Sequence, residues 1–141
     1  MFRRPSLVLI LLIACVSSAA AQSDDIFKPK NIKARMLSVA EWQLAHPNHP
    51  SYDWTNGAFY AGVFAAYEAT GSSALMTALT DMGEKNGWKP GPRFDHADDL
   101  AISQTYIDLY RLKKDRRMIQ PTIDTVNRLK TEKGDQAKQN G

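Results

Sequence analysis

The chain predicts an all-α protein built from helical hairpins. Three observations predict it. Apolar residues recur at helical spacing from Pro29 to Lys130, and no stretch alternates with the two-residue period of a strand. The breaks between periodic segments carry the prolines, glycines and Ser or Asp caps that end and restart helices.

Residues 1–21 read as a signal peptide. Arg3 and Arg4 form a basic start, Leu7 to Ala14 an apolar stretch, and Ala19-Ala20-Ala21 before Gln22 a small-residue cleavage site. The apolar run is too short for a bilayer, so no membrane span is expected, and the product is exported to the periplasm or secreted. Leu12-Ile13-Ala14-Cys15 also resembles a bacterial lipobox, and a lipoprotein anchored at Cys15 is the alternative. Cleavage at Gln22 leaves no cysteine, which excludes a disulfide framework and thiolate chemistry. The net charge of +3 is small and spread along the chain, and part of it lies in the signal. It is not the clustered basic face of a nucleic-acid binder.

Residues 22–133 are read as one helical domain. The first helix is predicted over about Pro29–Ala45, with Ile32, Met36, Val39 and Leu44 on its apolar face, and the two prolines of His46-Pro47-Asn48-His49-Pro50 end it. The second runs from about Thr55 to Ala69 and stops at Gly71. The third starts after Ser72 or Ser73, carries Leu75, Met76, Leu79 and Met82, and ends near Asn86-Gly87. Trp88 to Phe94 is a loop, because two prolines and a glycine interrupt it. A fourth helix is predicted over about Ala97–Leu112 and a fifth over about Arg116–Lys130, with Asp115 as its cap. Residues 134–141 are polar and expected to be a disordered tail.

A repeat runs through this pattern. Tyr67 and Tyr110 each close a helix and are followed by a polar turn, a cap and an apolar pair. Their offset of 43 residues is close to one helical hairpin.

Two stretches hold groups that packing does not demand. Asp53-Trp54-Thr55-Asn56-Gly57-Ala58-Phe59-Tyr60-Ala61-Gly62 sets an indole beside an amide, which suits a sugar ring. The same residues also serve as cap, core and close-packing glycines. Phe94-Asp95-His96-Ala97-Asp98-Asp99-Leu100 places three carboxyls and a histidine at a helix mouth. A carboxyl near a like charge, or out of water, has its pKa raised and can donate a proton. The plainer reading is that Asp95 caps the helix while Asp98 and Asp99 favour its positive end. His46 and His49 lack helical metal spacing, no metal site is expected, and no phosphate loop, nucleophile elbow or HExxH pattern is present. Lys113 to Arg117 read as a solvated turn.

Taken in order, these residues resemble the N-terminal part of glycoside hydrolase families 88 and 105, the unsaturated glucuronyl and rhamnogalacturonyl hydrolases. The matching run is Asp53 to Gly62, Tyr67-Glu68-Ala69-Thr70-Gly71, Gly83-Glu84-Lys85-Asn86-Gly87-Trp88, His96-Ala97-Asp98-Asp99 and Gln104-Thr105-Tyr106. The resemblance implies an (α/α)6 toroid of six hairpins around a sugar pocket. It also implies hydration of the C4–C5 double bond that polysaccharide lyases leave in a terminal uronic acid. A carboxylic acid protonates C4, water adds at C5, and the hemiketal opens to release the sugar, with no cofactor. Carried over, the acid falls on Asp98 or Asp99, and Trp54, Asn56 and His96 line the substrate pocket. The unsaturated oligosaccharide is the implied partner.

The family places a second essential acid on a later hairpin, and six hairpins at this repeat need roughly 250 residues. The chain is therefore expected to be an N-terminal portion of about five helices, inactive alone, with apolar faces left uncovered. A non-catalytic secreted hairpin module that binds carbohydrate or protein is the competing expectation.

Overall fold

The computed structural model describes the backbone of residues 25–139 and the side chains of residues 25–132. The expected signal peptide and Cys15 lie outside the described residues. Every regular element described is helical: α1 (Pro29–Ala45), α2 (Trp54–Thr70), α3 (Ser73–Lys85), α4 (Ala97–Leu100), α5 (Ser103–Lys113) and α6 (Gln120–Gln139). A 3-10 turn at Arg116–Met118 precedes α6. No helix among the described residues is long and apolar enough to cross a membrane.

The caps explain the boundaries. Asp53 opens α2 by accepting from the Thr55 backbone N–H at 3.0 Å, and Ser72 opens α3 by accepting from Leu75 N–H. Gly71, at φ 71°, closes α2 by donating its N–H to the Tyr67 carbonyl at 2.7 Å. Lys114, at φ 59°, closes α5 on the Tyr110 carbonyl, also at 2.7 Å. The repeat is thus physical: each tyrosine carbonyl receives the same left-handed terminator.

The end of α3 is more elaborate. Gly87 N–H reaches the Glu84 carbonyl and Trp88 N–H reaches the Gly83 carbonyl, the paired bonds of a Schellman motif. Both Gly87 and Trp88 sit at φ 58°. This turn folds the Trp88 indole back over Gly83, where it meets Tyr106 edge-on at 5.5 Å between ring centroids.

The core lies between α2, α3 and α5. Val63, Leu75, Leu79, Ile102, Tyr106 and Leu109 are fully buried in it, and Trp88 and Met118 close its ends. Each such side chain stabilises the fold by about 1.5–3 kcal/mol through water exclusion.

Three boundaries and one face differ from the sequence reading. The fourth helix is split at Ala101-Ile102 into α4 and α5. There the start of α2 presses on it: a Cβ on Gly57 would lie 2.9 Å from Ile102 N and 3.0 Å from Ala101 Cβ. Periodicity is blind to this break, because both residues are acceptable in a helix. Asp115 caps the 3-10 turn instead of a long helix, accepting from Arg117 N–H at 3.0 Å. The last helix continues to Gln139, through part of the expected tail, because Glu, Lys, Gln and Ala outweigh Gly134. On α1 the core-facing residues are Met36, Leu37, Ala40 and Leu44, whereas Ile32 and Val39 are exposed. Among the described residues they border an open apolar groove with Phe27, Phe59 and Val63.

Candidate active site

The loops 46–53 and 86–96 both precede or follow helix ends on one side of the molecule, opposite the turns at Gly71 and Lys114. A hydrogen-bond chain locks them together. Ser51 Oγ donates to Asn86 Oδ1 at 2.6 Å, and Asn86 Nδ2 donates to the Tyr106 hydroxyl at 2.9 Å. That hydroxyl donates to the Lys89 carbonyl at 3.2 Å. Burial pushes the Tyr106 phenol up to about 12, so it stays a neutral donor throughout the physiological range.

Asp99 forms the second clasp. It is buried, and its carboxylate accepts from Arg93 backbone N–H at 2.7 Å and from Arg93 Nε at 3.0 Å, with Nη2 closer still. Its own carbonyl accepts from Gly91 N–H at 2.7 Å. Gly91 cannot carry a side chain here, because a Cβ would fall 2.6 Å from Asp99 Cγ. The Arg93 guanidinium, above all through its hydrogen bonds, holds the Asp99 carboxyl below the usual carboxylate range. A carboxyl so held is an ionised acceptor, not a ready proton donor.

The neighbouring groups are freer. The Asp98 side chain is about half exposed, at 51%. Its Oδ2 stands 3.7 Å from His96 Nδ1, which is also 4.0 Å from Asp99 Oδ1. His96 occupies the cap position of α4 without a side-chain cap bond, and Asp95 does not cap it. Trp54 is the first residue of α2 and is 53% exposed. Asn56 is buried beneath the loop, donating through Nδ2 to the carbonyls of His49 and Pro50 at 2.8 and 2.9 Å. Its amide shapes the loop and shows only an edge to the depressions on either side.

The starting turns of α2 and α4 come together. Gly57, one turn into α2, touches Ala101, one turn beyond Asp98. The Arg93 guanidinium is raised above its ordinary value mainly by its hydrogen bonds to Asp99, with smaller effects from the charges of Asp98 and Asp53. Asp53 is itself lowered, mainly by the Thr55 hydroxyl at 2.7 Å. His46 lies apart, stacked on Trp42 with Nδ1 against the Trp42 carbonyl at 2.7 Å.

Sequence reasoning missed Arg93, Ser51 and Asn86 as members of this end. The available signal for Arg93 was a lone cation set between Pro92 and the segment that carries Asp95, Asp98 and Asp99.

An exposed indole and a free carboxyl thus stand on clasped loops at one end of stacked helical hairpins. The chain belongs to Glycosyl Hydrolase Family 88, whose family model matches residues 29–138. Its helices form part of the family's α/α toroid. The unsaturated 3S-rhamnoglycuronyl hydrolase of Formosa agariphila is 39% identical over 106 residues, covering 70% of this chain. The chain spans 28% of the length of that relative.

Proposed function

We propose that this chain supplies the N-terminal wall of a site that hydrates the C4–C5 double bond of a terminal unsaturated uronic acid. Asp98 is the acid that reaches the sugar, Asp99 is the ionised anchor behind it, and Trp54 is the face on which the ring stacks. His96 Nδ1 is shielded and has no hydrogen-bond partner among the described residues, and it lies between the two carboxylates. We assign it to substrate binding at the acidic end. The observation that carries this reading is the division of labour between adjacent carboxyls: Asp99 is consumed by Arg93, and Asp98 is left open.

The product is exported, and the unsaturated oligosaccharide is its partner. The resemblance implies a second acid on a later hairpin, and turnover is proposed to need both acids. The test follows ultraviolet absorbance of the conjugated double bond in lyase-treated polysaccharide. The chain should bind such oligosaccharides while the absorbance persists. Turnover by the chain alone would refute the need for a second acid. A folded chain that binds no unsaturated oligosaccharide would refute the site.

A further inference from the structure

The segment that leads into the acidic turn is staked at intervals. Gly91 and Arg93 bond to Asp99, and His96 N–H reaches the Arg93 carbonyl at 3.1 Å. Among the described residues, the hydrogen bonds of residues 91–96 stay within this segment or end on Asp99. The arc between the stakes, Phe94 and Asp95, makes no backbone hydrogen bond among the described residues. What steadies it comes from a different helix. The Arg128 guanidinium of α6 lies over the half-buried Phe94 ring, with Cζ 3.7 Å from the centroid.

This contact is oriented from behind. Arg128 Nε donates to Glu132 Oε1 at 2.7 Å, one turn further along α6, and so sets the plane of the guanidinium. The helix itself is anchored on α5. Met118 enters the core just before α6 begins, and Thr122 Oγ1 donates to Ser103 Oγ at 3.2 Å in a buried contact. Ser103 is the first residue of α5, directly after the break at Ala101-Ile102. A planar, weakly hydrated guanidinium is drawn to the negative face of an aromatic ring. A leucine at position 94 would fill similar space without offering that face.

We propose that Arg128 is a positioning residue for the acidic end: from α6 it pins the Phe94 ring and so holds the adjacent Arg93 in the clasp that occupies Asp99 and leaves Asp98 open. For its effect at the sugar the inference rests on the function proposed above. It brings α6, which carries none of the residues assigned to the site, into the frame that shapes it.

Two measurements on Arg128→Gln, Arg128→Lys and Phe94→Leu test it. The first is a carbon NMR pH titration of the Asp99 carboxyl. Arg93 lowers that carboxyl, first through its hydrogen bonds and then through its charge, with His96 after it, so the midpoint reports how this segment sits. Wild type should titrate below 3.8, and Arg128→Gln and Phe94→Leu should move the midpoint up toward 3.8. Arg128→Lys keeps a cation over the ring and should stay near wild type. The second is calorimetric titration with an unsaturated uronide disaccharide. Arg128→Gln and Phe94→Leu should bind it roughly two- to fivefold more weakly, the range of an exposed cation–ring contact, and Arg128→Lys should recover most of the loss. A general loss of stability moves neither reading while the protein is folded. An Asp99 midpoint that Arg128→Gln leaves unchanged overturns the pin and leaves the proposed function standing. A midpoint that moves while all variants bind the disaccharide equally overturns its role in the site. A wild-type chain that binds no disaccharide overturns the proposed function, and the Asp99 midpoints then decide the pin by themselves.

Discussion

Replacing Gly83 with alanine sets two physical effects against each other. Inside α3, alanine is intrinsically the better residue by about 1 kcal/mol. Against that, the new Cβ would fall 2.2, 2.4 and 2.6 Å from Cζ3, Cη2 and Cε3 of Trp88. The indole is 4% exposed and cannot swing aside freely, because the turn at Gly87 and Trp88 that aims it also caps α3. Overpacking costs about 1–3 kcal/mol, and expelling the ring approaches the roughly 3–5 kcal/mol of a buried Trp→Ala change. The packing effect wins, and net destabilisation of about 2 kcal/mol is expected, a fall of roughly 8 °C in Tm. Gly62→Ala is the internal control. It is also in a helix, nothing lies within 4 Å of its added Cβ, and it should gain about 0.5–1 kcal/mol. Urea unfolding followed by circular dichroism gives both values. If Gly83→Ala were as stable as the wild type, or Gly62→Ala lost as much, the packing argument would fail.

Asp99→Asn should lower stability in a pH-dependent way. The folded-state carboxyl is held below its ordinary value of 3.8, so its contribution is present above that value and is lost as pH falls through the folded pKa. The wild-type advantage in urea titrations should be constant near neutrality and vanish in acid; an advantage independent of pH contradicts the Arg93 clasp. Lys114→Gly removes a side chain from a left-handed terminator at φ 59° and should stabilise by about 1 kcal/mol in thermal melts. A loss of stability would show that the lysine side chain matters more than its backbone angle. Trp54→Ala should leave stability within about 0.5 kcal/mol, as befits an exposed side chain. It should weaken oligosaccharide binding roughly tenfold, equivalent to about 1.4 kcal/mol of stacking. Unchanged affinity would remove Trp54 from the site.

Local chemistry was legible in the sequence and tertiary contact was not. Gly71 announced a helix end through its missing Cβ, and side-chain oxygens narrowed two helix starts to Asp53 or Thr55 and to Ser72 or Ser73, of which the structure uses Asp53 and Ser72. The Tyr67 and Tyr110 repeat was readable because one turn chemistry occurs twice. The break at Ala101-Ile102 was not readable: both residues suit a helix, and the neighbour packed against them, Gly57, lies 44 residues earlier on another helix. The outward turn of Ile32 and Val39 was hidden for a related reason: the apolar pattern of α1 is broad, and only its neighbours choose the face. Of the acid cluster, the residues were visible but their roles were not. Asp98 and Asp99 are chemically identical in the sequence, and Arg93 tells them apart.

The account stands on a sugar ring resting on Trp54 with Asp98 at its reacting edge. Nuclear magnetic resonance of the chain, titrated with an unsaturated uronide disaccharide, observes both groups directly. The indole N–H of Trp54 and the carboxyl carbon of Asp98 should shift together along one saturable curve while the buried Asp99 signal stays put. Perturbation of Asp99 with Asp98 silent would reverse the assignment of the two acids, and no shift at Trp54 in a folded, saturated sample would contradict it altogether.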